Sequence, residues 1–189
     1  MRTLIILPFV LLILVSTPSY SINLLCGSVG IGCEKVDSSE VLTRDGYVYK
    51  KFSTKKFTGK VIGQIQYTVV DGLREGEYTA FLESGALYQK GSYQNGKKSG
   101  RWETYFNNGQ LMYFVNYRNG LLEGPVEHYY RNGQIQMKGS HQNDKHHGKW
   151  WIYDLDNIGV LKYERIYENG TITWENGKWI GGVLNQLLD

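Results

Sequence analysis

The chain has 189 residues, with 21 basic and 18 acidic side chains, four histidines, two cysteines and a 14% aromatic share. A formal net charge of +3 is too small to set up the field that nucleic-acid binding needs, so no nucleic-acid partner is expected. The aromatic share excludes a long disordered chain and fits a β protein that stacks Tyr and Trp.

At the N-terminus Arg2 precedes an apolar run from Leu4 to Val15, broken by Pro8, and Ser19-Tyr20-Ser21 supplies small residues where a signal peptidase reads. Residues 1–21 are therefore predicted to be a secretory signal peptide, short for a membrane span, with a retained N-terminal anchor as the alternative. The mature chain is expected to be exported, periplasmic or secreted, and to keep 189 − 21 = 168 residues, the size of one domain. A lipid-modified Cys26 is the less favoured alternative, since Leu25 stands where a lipid-attachment signal wants a small residue.

Cys26 and Cys33 open an N-terminal segment, residues 22–56, and Gly27, Gly30 and Gly32 between or beside them let the loop close. In an oxidising compartment they are expected to form a disulfide that ties this segment down. Two free thiols or half a zinc site is the alternative, but no second Cys or His pair lies nearby at ligand spacing. Further on, Tyr47 to Phe57 interleaves Lys50, Lys51, Lys55 and Lys56 with aromatics. This reads as a strand whose lysines face water or guard an edge. Four lysines without a wider basic field do not support firm membrane binding.

Residues 57–170 repeat. Glycines recur every 24 residues at Gly76, Gly100, Gly124 and Gly148, and again at Gly85, Gly109 and Gly133, in step with Phe81, Tyr105, Tyr129 and Tyr153. A fixed period of this length marks a repeat architecture. Within one unit, Trp102 to Phe106 and the alternating run Leu111 to Tyr117 flank Asn108-Gly109. Asn-Gly between two such arms predicts a tight hairpin turn with both central residues at positive φ. All seven glycines are read as repeat turn positions, and the joints at Asn95-Gly96, Asn119-Gly120 and Asn143-Asp144 start the next hairpin. Tyr78, Trp102, Val126 and Trp150 then fall in one row, and Leu87, Leu111, Ile135 and Leu161 in another, as side-chain ladders.

The expected fold is all-β, an elongated single-layer antiparallel meander of repeated hairpins. Gly59 to Gly76 is a shortened cap turning at Gly63, and the unit after Tyr153 carries an insertion before Gly159. Residues 171–189 supply a last hairpin about Asn176-Gly177 and a closing cap, with Val183 to Leu188 as a short helix over the final edge.

The pattern G-x-[WYV]-x-x-[YF]-x-x-[NS]-G-x-[LI], then Tyr-x-Asn-Gly and a closing Gly, resembles the variant MORN repeat of bacterial proteins, many of which are grouped as YwqK-type antitoxins. The resemblance covers residues 57–170. It implies a hairpin array that binds something, with no shared catalytic residues.

The residues themselves argue against an enzyme. No phosphate-cradling loop, G-x-S-x-G elbow or H-E-x-x-H is present, and Glu103 and Glu127 occupy equivalent positions of successive repeats. His128, His141, His146 and His147 lie within 20 residues, but His141 stands where other repeats have Tyr, and His146-His147 where one has Lys98-Ser99. No metal or cofactor is expected. A protein partner, with an antitoxin or immunity-like role, is the leading expectation. A glycan is the alternative and requires Trp102 and Trp150 to be open to solvent; a structural envelope protein is the third. Nothing in the pattern fixes an oligomeric state. The expected contact site is where repeat three departs from its neighbours. It has Met112 and Phe114 where they have Tyr88 and Lys90 or Gln136 and Lys138, and Leu121-Leu122 where they have Lys97-Lys98 or Lys145-His146, with Phe106 beside them.

Overall fold

The structure is a computed structural model that describes residues 33–154, 161–176 and 178–179. The expected signal peptide, Cys26 and with it the Cys26 to Cys33 pairing, the insertion before Gly159 and the closing cap at Val183 to Leu188 lie outside the described residues. The described residues from Glu34 onward belong to one compact unit.

Sixteen strands follow one another along the chain, with no α-helix among the described residues. The N-terminal segment supplies β1 (Lys35–Asp37), a 3-10 turn at Ser38–Glu40, β2 (Val41–Arg44) and β3 (Tyr47–Lys50). The cap hairpin is β4 (Gly59–Ile62) and β5 (Ile65–Val70), which reverse at Gly63 with φ +98. The repeats contribute β6 (Leu73–Phe81), β7 (Leu87–Gln94), β8 (Lys97–Tyr105), β9 (Leu111–Arg118), the two-residue β10 (Leu121–Leu122), β11 (Gly124–Tyr129), β12 (Ile135–Gln142), β13 (Lys145–Tyr153) and β14 (Leu161–Glu168). Then come β15 (Thr171–Glu175) and β16 (Lys178–Trp179). From β4 onward the sheet order is the chain order, each strand antiparallel to the last, with β10 set beside β9. This is the meander the repeats predict, since a hairpin needs only a short turn and each neighbour supplies the ladder an isolated hairpin lacks. One strand departs from the pattern: β1 runs parallel to β4 and covers what would otherwise be an open edge.

The turns are of two kinds, and they are exchanged relative to the sequence reading. Asn108 is not among the positive-φ residues; only Gly109 is, at φ +83. Gly109 N–H donates to Phe106 O at 2.9 Å and Phe106 N–H to Gln110 O at 2.8 Å, a three-residue loop whose glycine closes it. Gly85 and Gly133 make the same pair of bonds. The tight two-residue turns sit at the joints, where Asn95, Asn119, Asn143 and Asn169 have φ between 48 and 54 and are followed by Gly96, Gly120, Asp144 and Gly170, also positive. Each joint is tied back to the unit before it: Gly96 N–H donates to Arg74 O, Gly120 to Lys98 O, Asp144 to Leu122 O and Gly170 to His146 O, at 2.9 to 3.1 Å.

Gly76, Gly100, Gly124 and Gly148 are not turn residues. They lie in β6, β8, β11 and β13 with φ between +66 and +90, and the pairing register slips beside Gly76, Gly100 and Gly148. They are bulge positions, where an extra residue in a left-handed conformation bends the strand. Each also stands opposite a ring in the next strand, namely Tyr93, Tyr117, His141 and Tyr167.

The buried side of the sheet carries the expected row. Trp102, Val126 and Trp150 are 2%, 1% and 3% exposed, and a ring of this size, once buried, contributes roughly 2 to 3 kcal/mol. Trp102 lies across Gly91 and Trp150 across Gly139, so closely that a Cβ at either glycine would meet ring atoms at 2.3 and 2.2 Å. The indole N–H groups donate to Ser92 O and Ser140 O, both at 3.1 Å. Between these rings Val115 of β9 packs with Val126 of β11. At the N-terminal end Val48 and Phe57 close a second cluster with Val61, Tyr67 and Val69.

Candidate functional site

On the opposite side of the sheet, residues that face one another across successive strands form a continuous row: Thr79, Lys90, Glu103, Phe114, Glu127, Lys138, Trp151 and Glu164. Glu103 is its most strongly held charge. It accepts from the Tyr105 hydroxyl at 2.5 Å and pairs with Lys90 at 2.9 Å and Arg101 at 2.7 Å. Burial pushes its pKa up, but these three donors outweigh burial and hold it at about 2. Tyr129 bonds Glu127 in the same way, and burial together with that carboxylate pushes the phenol up to about 12.

Phe114 belongs to this row and is not an open patch residue. It is 5% exposed, because the Arg101 guanidinium lies over its ring at 3.5 Å. The cation that Lys90 and Lys138 place in this row is supplied here from the neighbouring strand, a stacking that also covers the ring.

The other expected contact residues separate into two groups. Phe106 and Met112 lie at the three-residue-turn edge, where with Tyr129, Tyr130, Arg131 and Gln136 they line a cleft of about 470 Å³. Its shape is fixed from both sides. Arg131 lies over the Phe106 ring at 5.3 Å and donates to Asn107 Oδ1 at 2.9 Å, and the Tyr130 hydroxyl donates to Tyr153 O at 3.0 Å. Leu121 and Leu122 lie at the opposite edge, beyond the far end of β9, roughly 17 Å or more from Met112 at ~3.3 Å per residue. Leu121 is 42% exposed, whereas Leu122 pairs with Tyr117 and is half-buried. The five residues therefore do not make one patch. The sequence offered no sign of Tyr129, Tyr130 and Arg131, because they join the cleft only through the pairing of β9 with β11.

Three of the four histidines, His128, His141 and His146, pack against other rings. His128 stacks on Tyr113 at 5.1 Å. His146 lies 4.0 Å from Trp150, tilted against His141 and edge-on to Tyr167, the place that Lys98 takes over Trp102 and Tyr117 at 4.2 and 5.0 Å. Burial pushes all three of His128, His141 and His146 below their ordinary value. No group of three or more His, Cys, Asp or Glu is placed to hold a metal among the described residues.

Comparison with protein families matches the MORN repeat variant at residues 74–95, 98–119 and 122–143. No curated protein matches the chain. Each matched segment takes in one three-residue turn with the two strands that flank it and ends on the first residue of a joint, at Asn95, Asn119 or Asn143, so the pattern follows the structural hairpin. The chain carries three consecutive MORN-variant repeats within a sheet of hairpins.

Proposed function

We propose that the protein is an exported, non-enzymatic module that binds a protein partner, and that the contact is made at the three-residue-turn edge of the repeats. The observation that carries this is the cleft of Phe106, Met112, Tyr129, Tyr130 and Arg131. It presents aromatic and thioether surface with a guanidinium at its wall, the residue types in which protein interfaces are enriched. Burial of Trp102 and Trp150 supports a protein over a glycan, since it removes the two platforms on which the glycan alternative depends. The antitoxin or immunity-like role belongs to this reading, with neutralisation outside the cytoplasm.

A photo-crosslinker at Met112, used in the native envelope, tests it. The expected product is one abundant protein adduct, lost by about tenfold in an Arg131→Glu background and retained in Leu121→Ser. Recovered wall polymer, or an adduct indifferent to Arg131, would refute the assignment.

A further inference from the structure

We propose a second contact site, for an anionic lipid surface, on the loop that joins β3 to β4. Phe52 is the most exposed large apolar residue described, and it sits at φ +62, a left-handed conformation that a bulky L residue rarely adopts. Strain of this kind persists only where the surroundings impose it, and here they do. Lys51 N–H donates to Glu40 O at 2.8 Å and Ser53 N–H to Lys50 O at 3.1 Å. Arg44 donates to Ser53 O at 2.7 Å, and the Ser53 hydroxyl and Lys55 N–H bond within the turn. The loop thus holds a phenyl ring clear of its own fold.

The charge around it selects the partner. Lys50 pairs with Glu34 and Lys56 lies over the Tyr47 ring at 3.3 Å, which leaves Lys51 and Lys55, both exposed, without an ion pair among the described residues. Residues 34–60 carry seven basic and four acidic side chains, and residues 61–189 carry 13 and 14. The excess positive charge of the chain after Cys33 therefore resides in the segment that displays Phe52, with Glu40 and Asp45 as its nearest acidic members. Lysines alone give no firm adsorption. An aromatic ring at headgroup depth adds the apolar component that lysine attraction to anionic lipid lacks. The site is separate from the turn-edge cleft and does not depend on it.

The test uses the chain recovered after export and sedimentation with vesicles of phosphatidylcholine containing about one-third phosphatidylglycerol. Expected is binding that fades between about 0.1 M and about 0.5 M salt. It should weaken about fivefold in Phe52→Ser and about tenfold or more in Lys51→Glu/Lys55→Glu, survive in Phe52→Trp, and be absent from phosphatidylcholine alone. Thermal midpoints should not fall, because the altered side chains are exposed. Equal binding by wild type and Phe52→Ser, equal binding to both vesicles, or loss of a protein crosslink in Phe52→Ser without any lipid binding would each overturn the proposal, the last in favour of a protein pocket.

Discussion

The β7–β8 and β12–β13 seams fill their buried side one way, and the β9–β11 seam fills it another. In the first pair a tryptophan lies across a glycine, Trp102 over Gly91 and Trp150 over Gly139, and a cationic or titratable side chain covers the indole, Lys98 or His146. Between β9 and β11 both members are valine, Val115 and Val126, and the covering position holds Leu122. The volumes are exchanged as a set: remove the ring and the glycine must grow, and a cation with no aromatic face to rest on gives way to an aliphatic side chain. What looks in the sequence like a surface patch at Leu122 is in part the consequence of Val126.

The largest effect should come from mixing the two sets. Gly91→Val places a side chain where ring atoms already stand, and should lower stability by about 3 kcal/mol or prevent folding; Trp102→Val alone leaves a void and should cost about 3 kcal/mol. The double variant reproduces the β9–β11 seam and should recover about half or more of the summed loss, read as denaturant midpoints in a double-mutant cycle. Strictly additive losses would break the comparison.

Phe114→Ser should cost about 2 to 4 kcal/mol with a lower melting midpoint, because Arg101 buries that ring, and a change below about 0.5 kcal/mol would mean the ring is open. Next comes acid. His128, His141 and His146 have folded values below their ordinary 6.5, so the unfolded chain takes up protons first. Stability should be full above 6.5 and fall as pH drops through the lower folded values. His146→Lys copies the Lys98 arrangement and should flatten that slope by about one proton's share, measured as midpoint against pH. The smallest effect belongs to Leu121→Ser, at most about 0.5 kcal/mol, since its side chain is exposed.

The 24-residue period and the hairpin alternation were open to reading because every unit repeats them, from Trp102 to Trp150. The turn types were not. Asn108-Gly109 and Asn119-Gly120 are the same dipeptide, and which one closes a two-residue loop depends on where the strands stop pairing. The glycines at 76, 100, 124 and 148 were read as turns for the same reason: a bulge inside a strand and a turn both ask for positive φ. At the candidate site, Met112 was legible as a departure from the repeat and Phe106 as its neighbour. Their separation from Leu121 and the covering of Phe114 by Arg101 depend on cross-strand register, which a sequence pattern does not carry.

The bond from each joint turn back to the start of the hairpin before it, as from Gly120 to Lys98, makes every unit a splint for its neighbour. Such a chain grows and shrinks by whole periods. Duplicating or deleting 24 residues between equivalent glycines renews the same bond at the new boundary, whereas an insertion of any other length must be absorbed in a loop. Gene duplication could thus lengthen the binding edge without inventing a new fold.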